Sequence, residues 1–186
     1  MKTNRLVLAV LFAFLIAGAT ACQRNRGVEA AREGTTLTPA ERDIAMKIEQ
    51  AHLGELDLAR TATTRTANKD VKDYAEMLIK DHNKALNNIS NLVKDQKATP
   101  SAAVPKPNDA QAEMSKLQKL SGAEFDREFM GAMVQGHQKM LSDLNQSLTA
   151  VQNKDLKDYI KDLIPDVQKH LDRAQEVQKK LTTTTK

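Results

Sequence analysis

Residues 68–82 read NKDVKDYAEMLIKDH, and residues 153–167 read NKDLKDYIKDLIPDV. The offset is 85, and Asn, Lys, Asp, Lys, Asp, Tyr, Leu, Ile and Asp coincide across it. Carried backwards, the same offset sets His52 on His137. In both copies an Asn precedes apolar residues that recur at alternating steps of four and three, the pattern of a capped amphipathic helix. The predicted architecture is therefore all-α: one helical hairpin written twice, its first helix ending near the repeated Asn and its second starting there.

The rest of the chain frames these hairpins. Thr38-Pro39-Ala40-Glu41 reads as a helix start, with Thr as N-cap, Pro at the first helical position and Glu closing a capping box. The first helix then runs to about Thr66, and the second from Asn68 to about Gln96. Residues 97–108 hold three of the five prolines and form a connector. A short helix is expected from about Asp109 to Leu120. Ser121-Gly122-Ala123-Glu124 is a second capping-box pattern, opening a helix that ends near Val151. Asn153 caps the last helix, which runs to about Leu181 with an expected kink at Pro165. The folded domain spans residues 38–181, and residues 182–186 form a frayed tail.

Four apolar seams follow. They contain Ile44, Ile48, His52 or Ala51, Glu55, Ala59 and Ala62; then Val71, Ala75, Leu78, His82, Ala85, Ile89 and Leu92; then Met130, Met133, His137, Met140, Leu144 and Leu148. The last contains Leu156, Ile160, Leu163, Val167, His170, Ala174, Val177 and Leu181. Such spacing keeps one stripe of each helix inside an antiparallel four-helix bundle.

Composition agrees with an all-helical chain: it has no Trp, six Phe and Tyr together, and only seven Gly in 186 residues. The formal charge is +4, and Lys2 and Arg5 supply two of those charges. The remainder alternates in sign along the helices, which gives no basis for nucleic-acid binding.

Residues 1–22 read as an export signal. Lys2 and Arg5 form its positive end, and Leu6 to Ala17 an apolar run too short to span a bilayer. Ala19-Thr20-Ala21 is a site for ordinary signal peptidase. Ala19-Thr20-Ala21-Cys22 also resembles a bacterial lipobox, with Ala19 in place of the usual Leu, and Cys22 is the only cysteine. A lipoprotein acylated at Cys22 and a soluble periplasmic or secreted protein are both expected readings. The lipoprotein is the leading one, with Gln23 favouring the outer membrane, a periplasm-facing domain and a membrane partner through the lipid. Residues 23–37 read as a flexible tether.

The four histidines fall one per long helix, each on the inward stripe. His52 and His82 lie 15 residues either side of position 67; His137 lies 15 before position 152 and His170 lies 18 after it. At about 1.5 Å per residue these heights agree to within a turn. Glu55 shares the stripe of His52. Imidazole and carboxylate converging in a bundle suit a transition metal such as iron, copper, zinc or manganese. The same layer could instead be purely structural, fixing helix register. The candidate ligands are His82, His137, His170, Glu55 and His52. Met130, Met133 and Met140 read as packing, relevant to a metal only if it were copper. No phosphate loop or nucleophile elbow is present, so nothing marks the chain as an enzyme.

Gly54-Glu55, Asp81-His82, Phe125-Asp126, Met133-Val134-x-x-His137 and the run from Leu163-Ile164-Pro165 to His170-Leu171 together resemble a bacterial family. It is the family of predicted outer-membrane proteins called domain of unknown function 4142, within the ferritin-like bundles. The resemblance implies a ferritin-like fold and an exported location, and no established activity. His52 lies outside that pattern. The di-iron pattern is incomplete too: Glu49-x-x-His52 has Glu-x-x-His spacing, but the other three helices lack it. The expected function is that of an exported, lipid-anchored envelope protein with a transition-metal ion in the bundle core. The alternative is an envelope stress or interaction module with a structural histidine layer.

Overall fold

The computed structural model describes residues 36–95 and 108–183. The export signal, Cys22 and most of the tether lie outside the described residues, as do most of the proline-rich connector and residues 184–186. Among the described residues all regular structure is helical: α1 (Pro39–Arg65), α2 (Lys69–Asp95), α3 (Asn108–Leu117), α4 (Gly122–Ala150) and α5 (Lys154–Thr183).

The helix starts follow local chemistry. Thr38 and Glu41 form the full capping box. The Asn68 side chain accepts from the Val71 N–H at 3.2 Å, and the Asn153 side chain accepts from the Leu156 N–H at 3.0 Å. The capping box expected at Ser121 does not form, because Ser121 makes no side-chain cap bond. Gly122 adopts φ +54°, a left-handed conformation that turns the chain differently there and favours glycine. Helix α5 continues through Pro165. Pro165 and Lys161 are both exposed, so water can reach the carbonyl that the missing proline N–H leaves without a helical donor.

Helices α1 and α2 form one hairpin and α4 and α5 the other; α1 also packs on α4, and α2 on α5. The start of α1 meets the α4–α5 turn, where Gln152 and Asn153 N–H groups donate to Glu41. The start of α2 meets the end of α5, where Arg173 and Lys180 reach Asp70. Every neighbouring pair of long helices is therefore antiparallel, and the α2–α4 connection must return along the length of the bundle. This is the ferritin-like arrangement with one long crossover. Short helix α3 lies on the returning segment, against α1 and α4. In the turn after α3, Arg65 donates to Gln118 O and, at 2.8 Å, to Leu120 O, and it lies over the Phe125 ring.

The core is in two parts. One cluster holds Leu58, Val71, Tyr74, Leu78, Phe125, Phe129, Met130, Met133 and Val177. The other holds Leu37, Ile48, Ile89, Met140, Leu144, Leu156, Ile160, Leu163 and Val167. Leu37, which the sequence places in the tether, is 2% exposed and belongs to this second cluster. In sequence, each long helix carries its histidine between its residues of one cluster and those of the other.

Candidate metal centre

Each of the four long helices carries one histidine into the bundle interior. His52, His82, His137 and His170 are between 0% and 3% exposed. Ring centroids lie 5.0 Å apart for His52–His82, 6.1 Å for His82–His137, 5.4 Å for His82–His170 and 5.4 Å for His137–His170. Glu55, one turn beyond His52 on α1, reaches into the same layer. Its Oε2 lies 3.1 Å from His82 Nε2 and its Oε1 lies 3.7 Å from His137 Nδ1. The structure thus brings together all five residues singled out in the sequence. Met140, the 85-residue counterpart of Glu55, is buried in the apolar cluster beyond them.

At least one nitrogen of each ring is held by the protein. His137 Nδ1–H donates to the Met133 carbonyl at 2.8 Å, one helical turn back on α4. His170 Nε2–H donates to Asp81 Oδ2 at 3.0 Å, across from α5 to α2. His52 and His82 face each other through their Nδ1 atoms at 2.9 Å. The remaining nitrogens are different: His82 Nε2, His137 Nε2 and His170 Nδ1 are buried with no hydrogen-bond partner, and so is Glu55 Oε2. The 3.1 Å approach of His82 Nε2 to Glu55 Oε2 is too misaligned to serve as one.

A buried polar atom without a partner costs about 1–3 kcal/mol. Several occur in one layer, and imidazole nitrogen and carboxylate oxygen are donor types that a transition metal accepts. His82, His137 and His170 can each place a donor atom within 4.8 Å of the others, and His52, Glu55 and His82 form a second such group. The outer contacts are those that orient metal-bound imidazoles: a carboxylate on His170 and a backbone carbonyl on His137. The surroundings also make room for the carboxylate. A Cβ on Gly136 would lie 3.2 Å from Glu55 Oε1, so glycine there leaves the carboxylate room.

Electrostatics keeps two of these imidazoles neutral. Burial drives the His52 pKa down to about 3, with the neighbouring His82 adding to the effect. Burial also lowers that of His170, against the opposing pull of Asp81. For Glu55 burial alone would raise the pKa, but His137, His82 and His52 together hold it well below the usual carboxylate range. A set of imidazoles and one carboxylate is the donor chemistry of a borderline-soft transition metal.

Two contributors were not singled out as site residues in the sequence. Asp81 appears there only as the neighbour of His82, yet it anchors His170. Tyr159 appears only as the repeat partner of Tyr74, yet its hydroxyl lies 3.4 Å from His52 Nε2. Their spacing to the residues they serve exceeds 85 positions, which no local pattern encodes. Glu49, the acid of the Glu-x-x-His spacing, is half-buried and raised in pKa by burial, with Lys94 opposing; it belongs to neither group of converging donors.

Comparison with known proteins places the fold. The chain is similar to a DUF305 fragment from Deinococcus radiodurans, known as a crystal structure. The TM-score is 0.69 at 18% identity, over 78% of this chain and 99% of that one. It is also similar to CopM in its Cu(II)-bound form, with a TM-score of 0.64 at 17% identity, over 75% of this chain and 95% of that one. No curated protein matches the sequence. A family model matches residues 26–177, and the chain belongs to that family, described as domain of unknown function DUF4142.

Proposed function

We propose that this protein binds one transition-metal ion in its bundle core, through His82 Nε2, His137 Nε2 and His170 Nδ1 with Glu55 beside them. The observation that carries this reading is twofold: His82, His137 and His170, from α2, α4 and α5, each place a ligand atom within 4.8 Å of the others, and each keeps one buried ring nitrogen without a partner. A structural polar layer would explain the bonded ring nitrogens but not the open ones on His82, His137 and His170. A half-satisfied network is less stable than an apolar core of the same shape. The Glu55 carboxylate would offset part of the cation's charge.

Copper is the favoured ion. Imidazole-rich sites bind Cu(II) most strongly among the divalent first-row ions, and the similar bundle CopM is known in a Cu(II)-bound form. We further infer that the protein works in the bacterial envelope, tethered by lipid on Cys22. That inference rests on the charged and apolar leader and on the placing of the lone cysteine after it.

The test is a melting series with and without Cu(II), Zn(II), Fe(II) or Mn(II). Binding to the folded state alone stabilises by about 2.7 kcal/mol at a hundredfold excess over Kd. The melting temperature should therefore rise with the bound ion, most with Cu(II). His82→Ala and His137→Ala should remove the rise and still fold. A wild-type melting temperature indifferent to every ion, with both variants less stable than wild type, would establish the structural layer instead.

A further inference from the structure

His82 belongs to both groups of converging donors, and the position of its proton decides between them. We propose that His52 and Tyr159 are positioning residues that hold the His82 proton on Nδ1, presetting Nε2 as a ligand atom. The functional consequence rests on the metal reading above; the proton position itself does not.

The contacts form a chain: Ala85 carbonyl, Tyr159 hydroxyl, His52, His82. Tyr159 Oη lies 3.3 Å from Ala85 O and 3.4 Å from His52 Nε2, and the two Nδ1 atoms of His52 and His82 are 2.9 Å apart. Between two imidazole nitrogens in hydrogen-bond contact one carries the proton and the other accepts it. The chain can run in only two directions.

In the first, the Tyr159 hydroxyl donates to Ala85 O and accepts from His52 Nε2–H. His52 Nδ1 then accepts from His82 Nδ1–H, and His82 Nε2 is a bare lone pair. All three contacts are hydrogen bonds. In the second, Tyr159 donates to His52 Nε2, His52 Nδ1–H donates to His82 Nδ1, and His82 Nε2 carries the proton. Ala85 O then loses the hydroxyl, and the buried His82 Nε2–H faces only Glu55 Oε2, 3.1 Å away but outside hydrogen-bond geometry. Orphaned buried N–H groups are rarer in folded proteins than under-satisfied acceptors. The first direction is the one the geometry supports.

It follows that both nitrogens of His52 are occupied, one accepting from His82 and one donating to Tyr159. His52 is then not a ligand, the group of His52, Glu55 and His82 is not a second site, and the core holds one ion. The roles also match across the centre: His52 orients His82, Asp81 orients His170 and the Met133 carbonyl orients His137.

Ring-nitrogen NMR of the 15N-labelled protein without added metal tests this directly. At pH about 8, above the ordinary imidazole pKa of about 6.5, His82 should appear as the Nδ1–H tautomer and His52 as the Nε2–H tautomer. A His82 proton on Nε2 would overturn the proposal. The wild-type spectrum decides this whether or not any variant is stable. For the ligand role, His52→Gln retains a carbonyl oxygen to accept from His82 Nδ1–H and should bind Cu(II) close to wild type. His52→Leu removes the acceptor and should bind about 10–100-fold more weakly, the range for loss of an outer-shell partner. Equal affinities for His52→Leu and wild type would overturn the positioning role. Failure of the wild type to bind Cu(II) would instead overturn the metal reading, with the tautomer still read from the spectrum.

Discussion

Glu41 shows how a single side chain can hold two distant segments. Its Oε2 accepts from the Thr38 N–H at 2.9 Å, and its Oε1 accepts from Gln152 N–H at 2.8 Å and Asn153 N–H at 2.7 Å. It thus caps α1 and places a negative charge at the N-terminus of α5, where the helix dipole favours it. Burial would raise its pKa, but the N–H groups of Asn153, Thr38 and Gln152 outweigh that and bring it down to about 2. The folded-state pKa lies below the unfolded value, so Glu41 contributes stability that is complete above about pH 4.5 and lost as pH falls through about 2. Glu41→Gln should therefore cost about 1.5–3 kcal/mol near neutrality, the range for hydrogen bonds to a charged group. The gap between variant and wild type should narrow as pH approaches 2. Denaturant unfolding of both at several pH values checks this; a pH-independent gap would mean the carboxylate's charge contributes nothing.

At the scale of elements, the two hairpins are copies in sequence and near-copies in packing. Leu78 on α2 and Leu163 on α5 are related by the 85-residue offset. Leu78 is fully buried in one apolar cluster and Leu163 is 7% exposed in the other. Truncating either to Ala should cost about 2–5 kcal/mol through lost burial and the cavity left behind. Thermal or denaturant unfolding measures it, and costs near zero at both positions would mean that these stripes are not the core. The copies diverge where the chemistry lies. Tyr159 reaches His52 and Ala85, whereas its repeat partner Tyr74 packs on Phe129 with its hydroxyl unpaired.

At the scale of the whole molecule, the bundle interior holds a polar centre between two apolar clusters, and the imidazoles of that centre are shielded from solvent. Among the described residues no helix is long and apolar enough to cross a membrane. Attachment through Cys22 would place the bundle at a membrane surface by lipid alone. Mass spectrometry of the mature chain, expressed in a bacterium that processes lipoproteins, should find a first residue Cys22 carrying acyl chains. An unmodified N-terminus there would leave only the secreted reading.

The sequence by itself determined the helices and their inward faces. Periodicity and caps are local: Thr38 with Glu41, Asn68 with Val71 and Asn153 with Leu156 are each three residues apart, so short-range spacing specifies them. It also determined that four histidines share one height, because equal distances from two turns suffice for that. Local pattern misled at Ser121, where the backbone of Gly122 overrides the capping box. What only the tertiary structure decided is which nitrogen of each ring is committed and which is left open. Asp81 and His170 are 89 residues apart, and Tyr159 and His52 are 107 apart. A hydrogen bond requires a particular atom at about 3 Å in a particular direction. That condition depends on how one helix is rotated against another, and no spacing along the chain contains it.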